Sequence, residues 1–102
     1  IYVKDVFLAT QKIIECGRVG DVYNISSNHE EVNIDLVNKI FDITGADKNL
    51  ITFVQDRKAH DFRYSIDSGK LKMLGWEQKY NFDDALFHTA KWMTMNAWSW
   101  NR

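Results

Sequence analysis

The chain has 102 residues, 45% of them hydrophobic and 26% charged, with a net charge of −1 at neutral pH. That length admits one small domain, burying only about two-thirds of the surface its unfolded form exposes, and the balanced charge excludes the broad basic field that nucleic-acid binding draws on. No apolar run approaches the roughly 20 residues needed to cross a bilayer and no signal-peptide pattern is present, so a cytoplasmic protein without membrane or nucleic-acid partners is expected.

The first residues, Ile1-Tyr2-Val3, are apolar and lack an initiating Met, which reads as the end of a strand in a piece of a longer chain. Asp5 is placed to cap a helix whose Val6, Ala9, Ile13 and Cys16 recur at helical spacing, with Gly17 as its stop. Val22–Ile25 is a β-prone run closed by Ser26, Ser27 and Asn28. A second helix is expected from Asn33, with Val37, Ile40, Phe41 and Thr44 on one face and Gly45 at its end. Ile51–Val54 is the next expected strand, followed by a charged loop from Asp56 to Arg63 and a brief extended segment, Tyr64–Ile66. Asp67 or Ser68 then caps a short helix carrying Leu71 and Leu74, with Gly75 just beyond it. Asn81 caps the last helix, where Asp83 and Asp84 favour the positive end and Phe82, Ala85, Leu86, Thr89 and Met93 form one stripe. Alternating strands and helices give an α/β class, with too few strands for a complete doubly wound sheet.

Several chemistries are missing. The sequence has no G-x-G-x-x-G dinucleotide fingerprint, no P-loop, no Ser-His-Asp set and no metal-ligand spacing. The lone Cys16 cannot form an internal disulfide, which suits a reducing compartment. Asn24-Ile25-Ser26 fits the glycosylation triplet, but without a secretion signal it reads as coincidence. No catalytic residue is assigned.

Four stretches resemble the C-terminal part of the dTDP-glucose 4,6-dehydratases, a branch of the extended short-chain dehydrogenase/reductases. Tyr2-Val3-Lys4-Asp5 resembles their Y-V-x-D, and Val22-Tyr23-Asn24-Ile25 their Y-N-I strand, with Asn33 where an asparagine starts the next helix. Asp56 to Tyr64 resembles the D-R-x-G-H-D-x-R-Y loop, the most specific of the four. Lys72 to Trp76 and Phe82 to Trp92 resemble the L-G-W and the closing helix. The resemblance implies that residues 1–102 are a C-terminal nucleotide-sugar-binding domain, with the Rossmann half upstream and absent here. That missing half would bind NAD and supply the catalytic groups. The implied reaction oxidises C4 of a dTDP-linked glucose, eliminates water across C5 and C6, and returns the hydride to C6. The implied parent is a homodimer, and the piece alone is expected to be inactive.

On the same resemblance, the substrate-binding candidates are Arg57, His60, Asn33, Asp56, Lys58 and Ala59. A guanidinium meets a diphosphate's oxygens with two bonds at once, which suits Arg57; unassisted, it could as well pair with Asp56 or Asp61. His60 can donate to a phosphate or a ribose hydroxyl, or simply be solvated, and Asn33 can contact substrate or cap its helix. Asp61, Arg63 and Tyr64 read as holding the loop, with an Asp61–Arg63 pair as its clamp. The tryptophans, Trp76, Trp92, Trp98 and Trp100, read as core or tail packing, His29 and His88 as surface, and Lys70, Lys72 and Lys79 as a solvated face. The sequence departs from the family at Ala59 (glycine), Lys58 (proline), Ser26-Ser27 (paired glycines) and Gln78 (proline). If the loop needs φ > 0 at position 59, alanine there is strained. A UDP-sugar dehydratase, epimerase or decarboxylase is the nearest rival reading, and a non-catalytic interaction module the more distant one.

Overall fold

The computed structural model describes residues 1–97. Four α-helices and one 3₁₀ turn follow in chain order: α1 Val3–Cys16, α2 Asn33–Thr44, the turn Lys48–Leu50, α3 Gly69–Lys72 and α4 Phe82–Met95. The helices fall where the apolar periodicity places them. Gly17 ends α1 with its N–H on the Ile13 carbonyl at 2.8 Å, an approach so close that a Cβ there would collide with that oxygen. Gly45 ends α2 in the left-handed region at φ 71°, where glycine carries no Cβ penalty. Asn81 caps α4 as expected. Its Oδ1 accepts from the Asp84 N–H at 2.9 Å, while its Nδ2 donates to the Asp84 carboxylate at 2.7 Å.

The α/β expectation is corrected in one respect: among the described residues no β-strand forms. A strand exists only where its N–H and C=O groups find a neighbouring ladder, and neither Val22–Ile25 nor Ile51–Val54 finds one. Residues 24–26 do lie beside 66–68, but side chains make the links. Asn24 Nδ2 donates to the Asp67 carbonyl at 3.3 Å, Ser26 Oγ to the Ile66 carbonyl at 2.5 Å and Ser68 Oγ to the Ser26 carbonyl at 3.4 Å. Phe53 and Val54 stand almost fully in solvent. Val3, expected at a strand end, instead opens α1.

Asp5 is the second correction. The N-cap position of α1 is Tyr2, which makes no side-chain cap, and Asp5 lies within the first turn of the helix, completely buried. Its carboxylate reaches across the fold to accept the backbone N–H of Lys79 at 2.9 Å and of Tyr80 at 3.3 Å. Position 5 and the segment leading into α4 are thereby joined, reinforced by Tyr2, whose ring meets Tyr80 edge-on at 4.9 Å. The core beside this joint is small: Ala9, Leu71 and Trp76, with Ile13, Ile25 and Leu74 packed against them. Trp76 is 4% exposed, as the packing argument expects, whereas Trp92 is half-exposed on α4; Trp98 and Trp100 lie outside the described residues.

α2 packs on α4, and a charged network spans the two. Lys39 Nζ donates to Glu31 and to Asp83, each at 2.8 Å. Those carboxylates raise the Lys39 pKa, and Glu31 is lowered in turn by Lys39 and His29. His29 is not a free surface residue. Its ring stacks on Phe82 at 4.1 Å and its Nε2 lies 3.0 Å from Glu31. Lys70 likewise departs from the solvated-face expectation, bonding the Val22 carbonyl at 3.0 Å and Asp21 at 3.3 Å while lying over the Tyr23 ring. Around α3 the two expected caps divide the work: Asp67 Oδ1 accepts from the Gly69 N–H at 2.8 Å, and Ser68 occupies the N-cap position with its hydroxyl turned to Ser26.

Candidate functional site

The Asp56–Tyr64 loop leaves the body of the fold as an exposed excursion between the 3₁₀ turn and α3. Asp56 starts it by folding back on the chain, its Oδ1 accepting the Arg57 N–H at 2.8 Å. Such short local bonds are how Asp organises turns. Ala59 sits at φ 57°, the single non-glycine residue in the left-handed region among the described residues. The strain expected there is therefore present, at about 1–2 kcal/mol for a residue with a Cβ. Glycine at this position would remove it.

Arg57, Lys58 and His60 are exposed, and among the described residues no hydrogen bond or ion pair engages their side chains. Arg57 is thus not spent on Asp56 or Asp61, and its guanidinium donors are unengaged. Asn33 is the first residue of α2, exposed, with no capping bond from its side chain. The capping role is corrected here: Val32 holds the cap position, so the amide of Asn33 is uncommitted.

The expected Asp61–Arg63 clamp is also corrected. Asp61 accepts from the Tyr64 hydroxyl at 3.0 Å, tightening the loop locally. Arg63 turns instead to Glu30, donating from Nε at 2.6 Å and from a terminal nitrogen to the other carboxylate oxygen. This two-point grip is the geometry in which a guanidinium matches a carboxylate best. Hydrogen bonding from Arg63 holds the Glu30 carboxyl below the usual carboxylate range, and Arg63 is raised by the same contact. With the folded-state pKa of Glu30 depressed, the grip is complete above the ordinary carboxylate range and is lost as pH falls through the depressed value.

Two concave surfaces lie elsewhere. The larger, about 440 Å³, is lined by Ser26, Asn28, Lys72, Gly75, Trp76, Glu77 and Gln78. The smaller, about 130 Å³, runs from Ile1 and Tyr2 across His29 to Phe82, Leu86 and Thr89. Arg57, His60 and Asn33 line neither cleft. Glu30 is not marked in the sequence as a partner of the loop. An acidic residue in a polar linker gives no sign of its partner 33 positions away.

A nicotinamide dinucleotide needs a glycine-rich turn between a strand and a helix. The five glycines, at 17, 20, 45, 69 and 75, do not supply it. Gly17 and Gly20 come closest in spacing, but they follow α1 rather than precede a helix. The described residues therefore do not fit that cofactor, and no group of three His, Cys, Asp or Glu among them could hold a metal ion.

No protein-family model matches the chain. Individual proteins do. The low-salt glycan biosynthesis protein Agl12 of Haloferax volcanii is 43% identical over 86 residues, covering 84% of this chain and 28% of its own. The trifunctional UDP-glucose 4,6-dehydratase/UDP-4-keto-6-deoxy-D-glucose 3,5-epimerase/UDP-4-keto-L-rhamnose-reductase RHM2 of Arabidopsis thaliana is 37% identical over 101 residues, covering 98% of this chain and 15% of its own. A crystal structure of a dTDP-glucose 4,6-dehydratase from Streptomyces venezuelae, solved with NAD bound, superposes with a TM-score of 0.84 at 34% identity, covering 96% of this chain and 31% of that one. The chain is thus similar to one portion of the extended short-chain dehydrogenase/reductase dehydratases. Within that class it matches proteins named as dTDP-glucose 4,6-dehydratases at 34–41% identity. It spans about a third or less of the length of the relatives it matches.

Proposed function

We propose that this chain is the C-terminal, substrate-binding portion of a dTDP-glucose 4,6-dehydratase, inert by itself, whose upstream Rossmann half binds NAD and carries the catalytic groups. The observation that carries this reading is the 34% identical superposition, at a TM-score of 0.84, on 31% of a solved dehydratase that holds NAD. Arg57 and His60 take the diphosphate and ribose, Asn33 contacts the substrate from the start of α2, and Asp56, Lys58 and Ala59 shape the turn between them. Free side chains on Arg57, His60 and Asn33 support these roles.

The α/β class belongs to the parent. Val22–Ile25 and Ile51–Val54 gain ladder partners from residues outside this chain, and the exposed Phe53, Val54, Phe62 and Tyr64 are covered with them. A radius of gyration of 17.0 Å supports this, since a compact domain of this size measures about 13 Å. The parent is read as a cytoplasmic homodimer without nucleic-acid or membrane partners. The net charge of −1 supports the first absence. The absence of a membrane partner rests on the resemblance alone, as does homodimerisation.

A UDP-sugar substrate is the second reading, favoured by the 37% identity to the trifunctional Arabidopsis enzyme. Assaying the full-length protein with dTDP-glucose and UDP-glucose separates the two. A 4-keto-6-deoxy product from dTDP-glucose is expected; turnover of UDP-glucose alone would favour the second reading, and no keto product from either would overturn both.

A further inference from the structure

Between residues 56 and 65, every hydrogen bond that leaves the loop ends on one side chain. Arg63 Nε donates to Glu30 Oε2 at 2.6 Å, a terminal nitrogen of Arg63 donates to Oε1, and Ser65 Oγ donates to Oε1 at 3.3 Å. The other bonds in the loop, Asp56 to the Arg57 N–H and Tyr64 to Asp61, are internal to it. Glu30 itself lies three residues before Asn33, where α2 begins. The two groups of candidate ligands, Arg57 with His60 on one side and Asn33 on the other, are 24 or more positions apart in sequence. The Glu30 carboxylate is the polar link between their two segments.

We infer that Glu30 is a positioning residue: through Arg63 and Ser65 it fixes the Asp56–Tyr64 loop relative to the start of α2, and so sets the spacing of the nucleotide-sugar site. The inference rests on the proposed function for what the site binds, but not for the geometry it predicts. A loop with no other polar anchor would sample many positions, and each would have to be ordered again when the ligand arrives. Anchoring it beforehand lowers that entropic cost. A lysine in place of Arg63 would not substitute, because an ammonium is a point charge and cannot meet both oxygens in one plane.

The test reads the geometry without a ligand. In a Cys16→Ser background, nitroxide labels at Asp35→Cys on α2 and Phe62→Cys on the loop report their separation by pulsed electron resonance. One narrow distance is expected for the otherwise unaltered chain. Glu30→Arg alone and Arg63→Glu alone should each broaden it, and the two together should restore it. Single variants as narrow as the parent, or a double variant as broad as the singles, would overturn the inference. Calorimetric titration with dTDP adds the functional readout: roughly a tenfold loss of affinity in each single variant, as expected when a prearranged site must order on binding, and recovery in the double. Should the unaltered chain bind no dTDP, the proposed function is what fails, and the label distances still decide the role of Glu30.

Discussion

Replacing Asp5 with alanine is expected to cost the fold about 2–4 kcal/mol, since two backbone donors to a charged group are left without a partner. The carboxylate is completely buried and holds the N–H groups of Lys79 and Tyr80, 74 and 75 residues further along the chain. Asparagine is expected to recover part of the loss, because it offers one acceptor in the same place but no charge. In a domain of this size each kcal/mol moves the midpoint of thermal unfolding by about 4–8 °C. Circular-dichroism melts of the two variants check the ranking; an unchanged midpoint in Asp5→Ala would show that the two bonds contribute nothing.

Leu71→Ala is expected to lose about 2–5 kcal/mol, the range for emptying a buried leucine site. Leu71 is completely buried against Ala9 and Trp76, in a core with few other members. Ile13, Ile25 and Leu74, themselves only partly buried, pack against that core. Two positions along, Met73 is 81% exposed, and Met73→Ala serves as the control, expected within about 0.5 kcal/mol of the parent. Urea unfolding separates the two. A Leu71→Ala midpoint no lower than that of Met73→Ala would mean that α3 does not seat the core.

Helices were the legible part of this sequence, for a local reason. Apolar spacing, Asn81 before Asp83 and Asp84, and Gly45 after Thr44 are all set within one or two turns of the residues they govern. Strands were not, because Val22–Ile25 and Ile51–Val54 carry β-prone side chains but find no ladder among the described residues. Asp5 shows the same limit from another side. An acid near a helix start reads as a cap, and nothing local betrays that its true partners lie at Lys79 and Tyr80. In the candidate loop the motif's glycine position marked the strained Ala59 directly. The loop sequence misassigned the partner of Arg63, because an arginine two residues from an aspartate suggests a local pair while the geometry favours Glu30. The larger cleft, walled by Ser26, Asn28 and the Trp76–Gln78 segment, is assembled from regions some 50 residues apart, and the sequence marked several of its residues without showing that they meet.

The proposed substrate site turns on an unengaged guanidinium in an exposed loop recognising a nucleoside diphosphate. Calorimetric titration of dTDP at low ionic strength into the chain and into Arg57→Ala addresses that most directly. Weak, salt-sensitive binding that disappears in the variant is the predicted result. Equal affinity in both would contradict the assignment of Arg57, and with it the location of the site.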